Sequence, residues 1–234
     1  MGPNAISQRP EPLNLTHPSP NFGPRRDGLR PELIVIHYTA MQSAKAALER
    51  LCDPVAEVSA HYLIAEDGTL YSLVAEDQRA WHAGAGGWGG REDVNSRSIG
   101  IELANTGAHP FPEPQMVTLE ALLLQIMTRW DIGAQGVIGH SDMAPERKFD
   151  PGTRFDWQRL ARQGLSVWPQ PGRAGDFVAD ARRFGYPDAP AEALLQAFRQ
   201  RFRPFAKGAL DDTDRALMGD LATRFPVDRN AGLT

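Results

Sequence analysis

The chain has one cysteine, Cys52, among its 234 residues, so no intrachain disulfide can staple it and the redox compartment is left open. No stretch reaches the roughly 20 apolar residues that a membrane-spanning helix needs. Basic side chains are not in excess: 25 Lys and Arg against 29 Asp and Glu leave a formal charge of −4, the wrong sign for a polyanion-binding face, so nucleic acid is not an expected partner. Repeats and low-complexity tracts are missing as well. A glycine-rich stretch, Trp81-His-Ala-Gly-Ala-Gly-Gly-Trp-Gly-Gly90, lacks the Gly-Lys-Ser/Thr ending of a phosphate cradle, and no compact His-Glu-x-x-His pair occurs. Residues 1–10 show neither a basic start with an apolar core nor a cysteine for lipid attachment. The expectation is a cytoplasmic protein, or a periplasmic one if a leader preceded this sequence. Oligomeric state is left open.

What is present is the patterning of a globular protein, with 41% hydrophobic and 23% charged residues. Residues 1–31 hold Pro10, Pro12, Pro18, Pro20, Pro24 and Pro31 with little periodicity, and read as an extended arm. The apolar run 33–39 reads as a buried strand, and Ser43 is placed to cap a helix ending at Cys52. Residues 61–65 and 69–74 flank Glu66-Asp67-Gly68, a hairpin signal because Asp-Gly tolerates the positive φ of a tight turn. In the strand 98–104, Ile99, Ile101 and Leu103 share one face and Glu102 takes the other. Helical spacing recurs over 116–130 and 156–163. A catalytic domain is expected over 32–170, then a linker around Trp168-Pro-Gln-Pro-Gly172. Three short helices at 176–184, 190–202 and 211–225 would form a small domain spanning 175–230.

Three residues stand at the ends of apolar segments. His37 closes 33–36, His140 closes 136–139, and Asp150 follows ten residues later. Two imidazoles and a carboxylate are the donor set of a catalytic zinc ion, which takes three protein ligands and keeps one position open. Glu102, a carboxylate in an apolar strand, is costly there unless it serves a site or an ion pair. It is the candidate general base. Lys148, two positions before Asp150 in an extended segment, points the same way and is placed to meet an oxyanion; otherwise it is a surface lysine. His61 reads as a core histidine or a site residue. His82 suits a substrate wall, a support behind the site, or a plain loop position. Cys52 has no activating base beside it and is not a candidate nucleophile.

Taken together, Ile34-Val-Ile-His37-Tyr-Thr-Ala40, Val58-Ser-Ala-His-Tyr-Leu63, Ala80-Trp-His-Ala-Gly84, Asn95, Ser98-Ile-Gly-Ile-Glu102, Gly139-His-Ser-Asp-Met-Ala-Pro145 and Arg147-Lys-Phe-Asp-Pro-Gly152 resemble the zinc-dependent N-acetylmuramoyl-L-alanine amidases of the type 2 family. These share a fold with peptidoglycan recognition proteins. The resemblance implies an α/β (α+β) fold with a mixed central β-sheet flanked by helices. It implies zinc on His37, His140 and Asp150, catalysis by Glu102 and Lys148, and substrate binding by Tyr38, His61, Trp81, His82, Arg91 and Asn95. The implied substrates are peptidoglycan fragments or muropeptides, cut between the lactyl group of N-acetylmuramic acid, or its 1,6-anhydro form, and L-alanine. Phage-type members carry a catalytic tyrosine where this chain has Ala60, which leaves the base role to Glu102. Cytoplasmic recycling members often have Asn where this chain has Tyr38, and the tail is similar to that of the outer-membrane branch, with a three-helix peptidoglycan-binding-like module or a plain helical buttress. A non-catalytic recognition module is the alternative to the amidase, and a zinc peptidase acting within the stem peptide is a third reading.

Overall fold

The apolar run at 33–36 becomes the buried start of a strand because both of its faces find helices to cover them. The computed structural model describes residues 14–227. In chain order its elements are β1 (Asn14–Thr16), β2 (Phe22–Pro24), β3 (Leu33–Tyr38), α1 (Ala44–Cys52), β4 (Tyr62–Ile64), β5 (Leu70–Ser72), β6 (Gln78–Ala80), α2 (Val94–Arg97), β7 (Ser98–Leu103), α3 (Glu113–Trp130), β8 (Val137–Gly139), α4 (His140–Met143), α5 (Trp157–Arg162), α6 (Phe177–Phe184), α7 (Ala191–Phe202) and α8 (Asp212–Arg224). Six strands form one sheet in the order β1-β5-β4-β7-β3-β8, and β2 pairs with β6 separately. Within the large sheet only β4 and β5 run antiparallel.

Period-two alternation sorts the central strands between two layers. Ile34 and Ile36 of β3, with Ile99, Ile101 and Leu103 of β7, face Leu119, Leu122, Leu123 and Ile126 of α3. Leu33 and Val35 of β3, with Ile138 of β8, face the other way, onto Phe177, Phe184, Phe198 and Phe202 of α6 and α7. A third cluster seats Ala47 and Leu51 of α1 over Leu63, Leu73 and Val74.

Ser43 caps α1 as expected, accepting from the Ala46 N–H at 3.2 Å. The hairpin also forms as expected, with Gly68 at φ +89°. A Cβ on Gly68 would lie 2.9 Å from the Pro114 carbonyl oxygen. Gly68→Ala is therefore expected to destabilise the protein by more than about 1 kcal/mol, read as a lowered midpoint of urea unfolding.

The proline-rich stretch carries two short strands that its weak periodicity does not announce. From residue 14 onward it is paired, β1 adding to the sheet edge beside β5 and β2 lying against β6. Extended backbone is what an open sheet edge can accept, and Pro24 lies in the two-stranded β2–β6 pair, in which both strands are edges. Residues 1–13, which include Pro10 and Pro12, and residues 228–234 lie outside the described residues. At the other end, the three tail helices form where helical spacing placed them, and their apolar faces share a core with β3 and β8. Residues 170–175 are exposed, and the cluster joins side chains on either side of them. Among the described residues no helix is long and apolar enough to cross a membrane.

Candidate metal centre

Parallel strands β3, β7 and β8 end together, and their carboxyl ends make the floor of a cleft, the usual place for ligands in open α/β sheets. His37 lies near the end of β3, directly opposite Glu102 of β7 in register. Its side chain follows Leu33 and Val35 to the face opposite α3, and Glu102 follows Ser98 and Gly100 to that same face. His140 comes straight after β8, where it opens α4 rather than closing a strand. The loop carrying Asp150 is tied to this turn by the Ser141 N–H, which donates to the Asp150 carbonyl at 2.9 Å.

Three donor atoms converge there. His37 Nδ1 lies 2.9 Å from His140 Nδ1, and both lie 3.0 Å from Asp150 Oδ2. A tetrahedral zinc ion with bonds of about 2.0–2.1 Å would separate its ligand atoms by about 3.3 Å, so the triangle fits such an ion within a few tenths of an ångström. The hydrogen-bond inventory supports a cation as well. His140 Nε2 lies 2.9 Å from the Ala83 carbonyl oxygen, which can only accept. In its neutral form the His140 ring therefore carries its proton on Nε2 and turns the Nδ1 lone pair toward the Asp150 carboxylate oxygen. Burial, then the neighbouring His140, holds His37 down to about 4, so its ring is neutral at pH 7 and a competent ligand. Bare donors facing one another across 3 Å repel unless a cation sits among them. His37, His140 and Asp150 thus form a possible metal site.

Glu102 lines the same cleft as the triangle. Its Oε2 is out of solvent and has no hydrogen-bond partner. Burial pushes its pKa up to about 8, helped by the Asp150 charge and opposed by Lys148. An orphaned acid oxygen at the end of an otherwise aliphatic strand is what a proton-transfer group looks like before its substrate arrives.

A cleft of about 430 Å³ opens over these groups. Tyr38, Trp81, His82, Glu102 and Lys148 all line it, together with Met41, Arg50, Val58, Arg147 and Phe149. Three predicted substrate-binding residues do not. His61 is fully buried; its Nδ1 accepts from the Gly100 N–H at 2.9 Å, and its Nε2 faces the Gln78 carbonyl and Arg25. Asn95 is buried under the glycine-rich loop, where its Oδ1 accepts from the His82 and Ala83 N–H groups at 3.0 and 2.8 Å. Arg91 turns away to pair with Glu32 at 2.8 Å on the surface. A motif shared along a chain does not separate residues that touch a ligand from those that hold the loop touching it. Sequence reading in turn passed over Arg147, which donates to the Ala83 carbonyl at 2.6 Å and walls the cleft. In sequence it is one more charge in a charged loop.

Comparison with known proteins agrees with this geometry. Residues 27–153 match the family model described as N-acetylmuramoyl-L-alanine amidase (Amidase_2). The chain is 34% identical over 237 aligned positions to the N-acetylmuramoyl-L-alanine amidase AmiD of Escherichia coli K12, covering 85% of each. It is 38% identical to the 1,6-anhydro-N-acetylmuramyl-L-alanine amidase AmpD of Citrobacter freundii over 61% of this chain and 86% of that one. Its fold superposes on E. coli AmiD in complex with anhydro-N-acetylmuramic acid-L-Ala-D-γ-Glu-L-Lys with a TM-score of 0.79 at 32% identity, covering 85% of this chain and 91% of that chain. For Pseudomonas aeruginosa AmpDh3 with an anhydromuramic pentapeptide the TM-score is 0.76 at 32% identity, covering 85% and 94%. With its donor triangle, its unpartnered glutamate and its matched sequence over more than half the length, the chain belongs to the type 2 N-acetylmuramoyl-L-alanine amidase family.

Proposed function

We propose that this chain binds zinc through His37, His140 and Asp150 and hydrolyses the amide joining N-acetylmuramic acid, or its 1,6-anhydro form, to the L-alanine of a peptidoglycan stem peptide. The observation that carries the reading is the convergence of three donor atoms within 3.0 Å of one another beside a carboxylate oxygen with no partner. The muropeptides held by AmiD and AmpDh3, which this fold matches, support the substrate class. When bound, zinc supplies Lewis acidity toward the scissile carbonyl and acidifies water in the cleft.

The chain's own residues supply the rest. Glu102 takes a proton from the attacking water and returns it to the departing L-alanine nitrogen, so that water and amide become a carboxylic acid and a free amine. Lys148, on the same cleft wall, offers a cation to the carbonyl oxygen as negative charge develops on it. Trp81 and Tyr38 provide flat, half-exposed faces for the sugar and the stem.

The test is mass spectrometry of the products from anhydro-muramyl-tripeptide, with and without a chelator. Free tripeptide and anhydromuramic acid are expected, with the rate falling at least about 100-fold on chelation and returning with added zinc. Cleavage inside the stem would make the protein a peptidase. Binding without turnover in the zinc-loaded protein would make it a recognition module.

A further inference from the structure

The structure points past the three donors to a second pair of residues, Ser98 and His82, that the reaction does not itself require. Ser98 Oγ lies 2.5 Å from the Val94 carbonyl oxygen and 3.2 Å from His82 Nε2. His82 Nδ1 lies 3.0 Å from His37 Nε2. A hydroxyl has one proton, and a carbonyl can only accept. The Ser98 proton is therefore committed to Val94, and Ser98 Oγ must accept from His82 Nε2–H. His82 Nδ1 is then a lone pair and accepts from His37 Nε2–H, which leaves His37 Nδ1 bare and aimed at Asp150 and His140. Each bond in the row fixes the direction of the next.

The ring that transmits this direction is locked in place. A Cβ on Gly100 would lie 2.4 Å from His82 Cγ, so the imidazole lies flush on the strand where only glycine leaves room. Asn95 pins the backbone of the same residue from the other side. His82 meets His37 edge to face, with centroids 5.1 Å apart.

We infer that Ser98 and His82 are positioning residues that hold His37 in its Nε2–H tautomer, presenting Nδ1 to the metal. The inference rests on His37 being a zinc ligand. Its chemistry is that of an outer hydrogen-bond partner on a metal-binding histidine, with a neutral imidazole and a serine in place of the more usual carboxylate or carbonyl.

Zinc affinity, measured by competition with a chromophoric chelator, reads the effect directly. His82→Leu is expected to weaken zinc binding about 10- to 100-fold. His82→Asn, whose amide oxygen can accept from His37 Nε2–H near the position of Nδ1, is expected to recover most of that loss. Ser98→Ala is expected to weaken binding by a smaller factor, since His82 is then free to carry its proton on either nitrogen. A second readout needs no metal. In the zinc-free parent protein, long-range ¹⁵N–¹H spectra are expected to show His37 protonated on Nε2 alone, and Ser98→Ala to mix its tautomers. Parent-like affinity in both His82→Leu and Ser98→Ala, or a His37 Nδ1 proton in the parent, overturns the inference. A parent protein that binds no zinc sinks the metal reading instead, and the tautomer spectra still decide the hydrogen-bond direction.

Discussion

Glu102→Gln is expected to lower kcat by about 10²- to 10⁴-fold, the usual contribution of a positioned acid–base group, with KM and zinc content close to those of the parent protein. The substitution keeps the side chain's volume and one carbonyl oxygen, so the fold has little to repack. It removes only the ability to accept a proton. The starting point makes the outcome a clean one: Glu102 Oε2 has no hydrogen-bond partner to lose, and no ion pair with a guanidinium is broken. In many proteins a buried carboxylate is neutralised by an adjacent arginine; here the modifying charges are Asp150, which raises its pKa, and Lys148, which lowers it. The variant's rate on anhydro-muramyl-tripeptide and its metal content would be measured side by side. If more than about a tenth of the activity survives with zinc in place, the base lies elsewhere and the cleft must be reread.

Arg201→Met is expected to cost about 3–5 kcal/mol of stability. Arg201 of α7 is buried and donates to Asp142 Oδ2 at 2.6 Å, to the Val137 carbonyl at 2.9 Å and to Ser166 Oγ at 3.2 Å. Its guanidinium also stacks on Trp157, 4.3 Å from the ring centroid. Asp142, fully buried, uses the same Oδ2 to accept from the Gly139 N–H at 2.8 Å and Oδ1 to accept from the Tyr186 hydroxyl at 2.7 Å. Removing the cation strands a carboxylate in the core, which costs far more than the pair is worth against an apolar replacement. For that reason the double variant Arg201→Met, Asp142→Leu should regain part of the loss. Urea unfolding of the single and double variants measures both. A single-variant loss under about 1 kcal/mol would contradict the account.

That network also gives the tail a task. Gly139 immediately precedes His140, so α7 and the Tyr186 turn grip the segment that delivers a metal donor. Through these bonds Arg201 and Tyr186 of the tail hold the turn that precedes His140.

Much of this was legible in the sequence because the relevant periods are short. Alternation over 98–103 put Glu102 opposite three aliphatics, and the register that sets it beside His37 follows from two parallel strands ending together. Ser43, Asp67-Gly68 and the helical spacings located their elements within two residues, except that α3 begins three residues before the spacing does. The remainder depended on long-range packing. Nothing local distinguishes Arg91, which pairs with Glu32, from Arg147, which walls the cleft. His61 and Asn95 carry the family resemblance as Trp81 and His82 do, yet they are consumed in holding Gly100 and the 82–83 backbone. The strand pairs at residues 14–16 and 22–24 are too short to carry a pattern and owe their form to the edges they meet. The buttress alternative for the tail does not name the strands it would cover, since an amphipathic helix announces that it has an apolar face but not what the face will meet.

The central claim is that His37, His140 and Asp150 close on one zinc ion. Anomalous scattering at the zinc absorption edge from crystals of the zinc-loaded protein tests it directly. The account predicts a single strong peak within about 2.0–2.2 Å of His37 Nδ1, His140 Nδ1 and an Asp150 carboxylate oxygen. A peak bound through a different set of residues, or crystals grown in zinc with those three side chains hydrogen-bonded to one another and no peak among them, would contradict it.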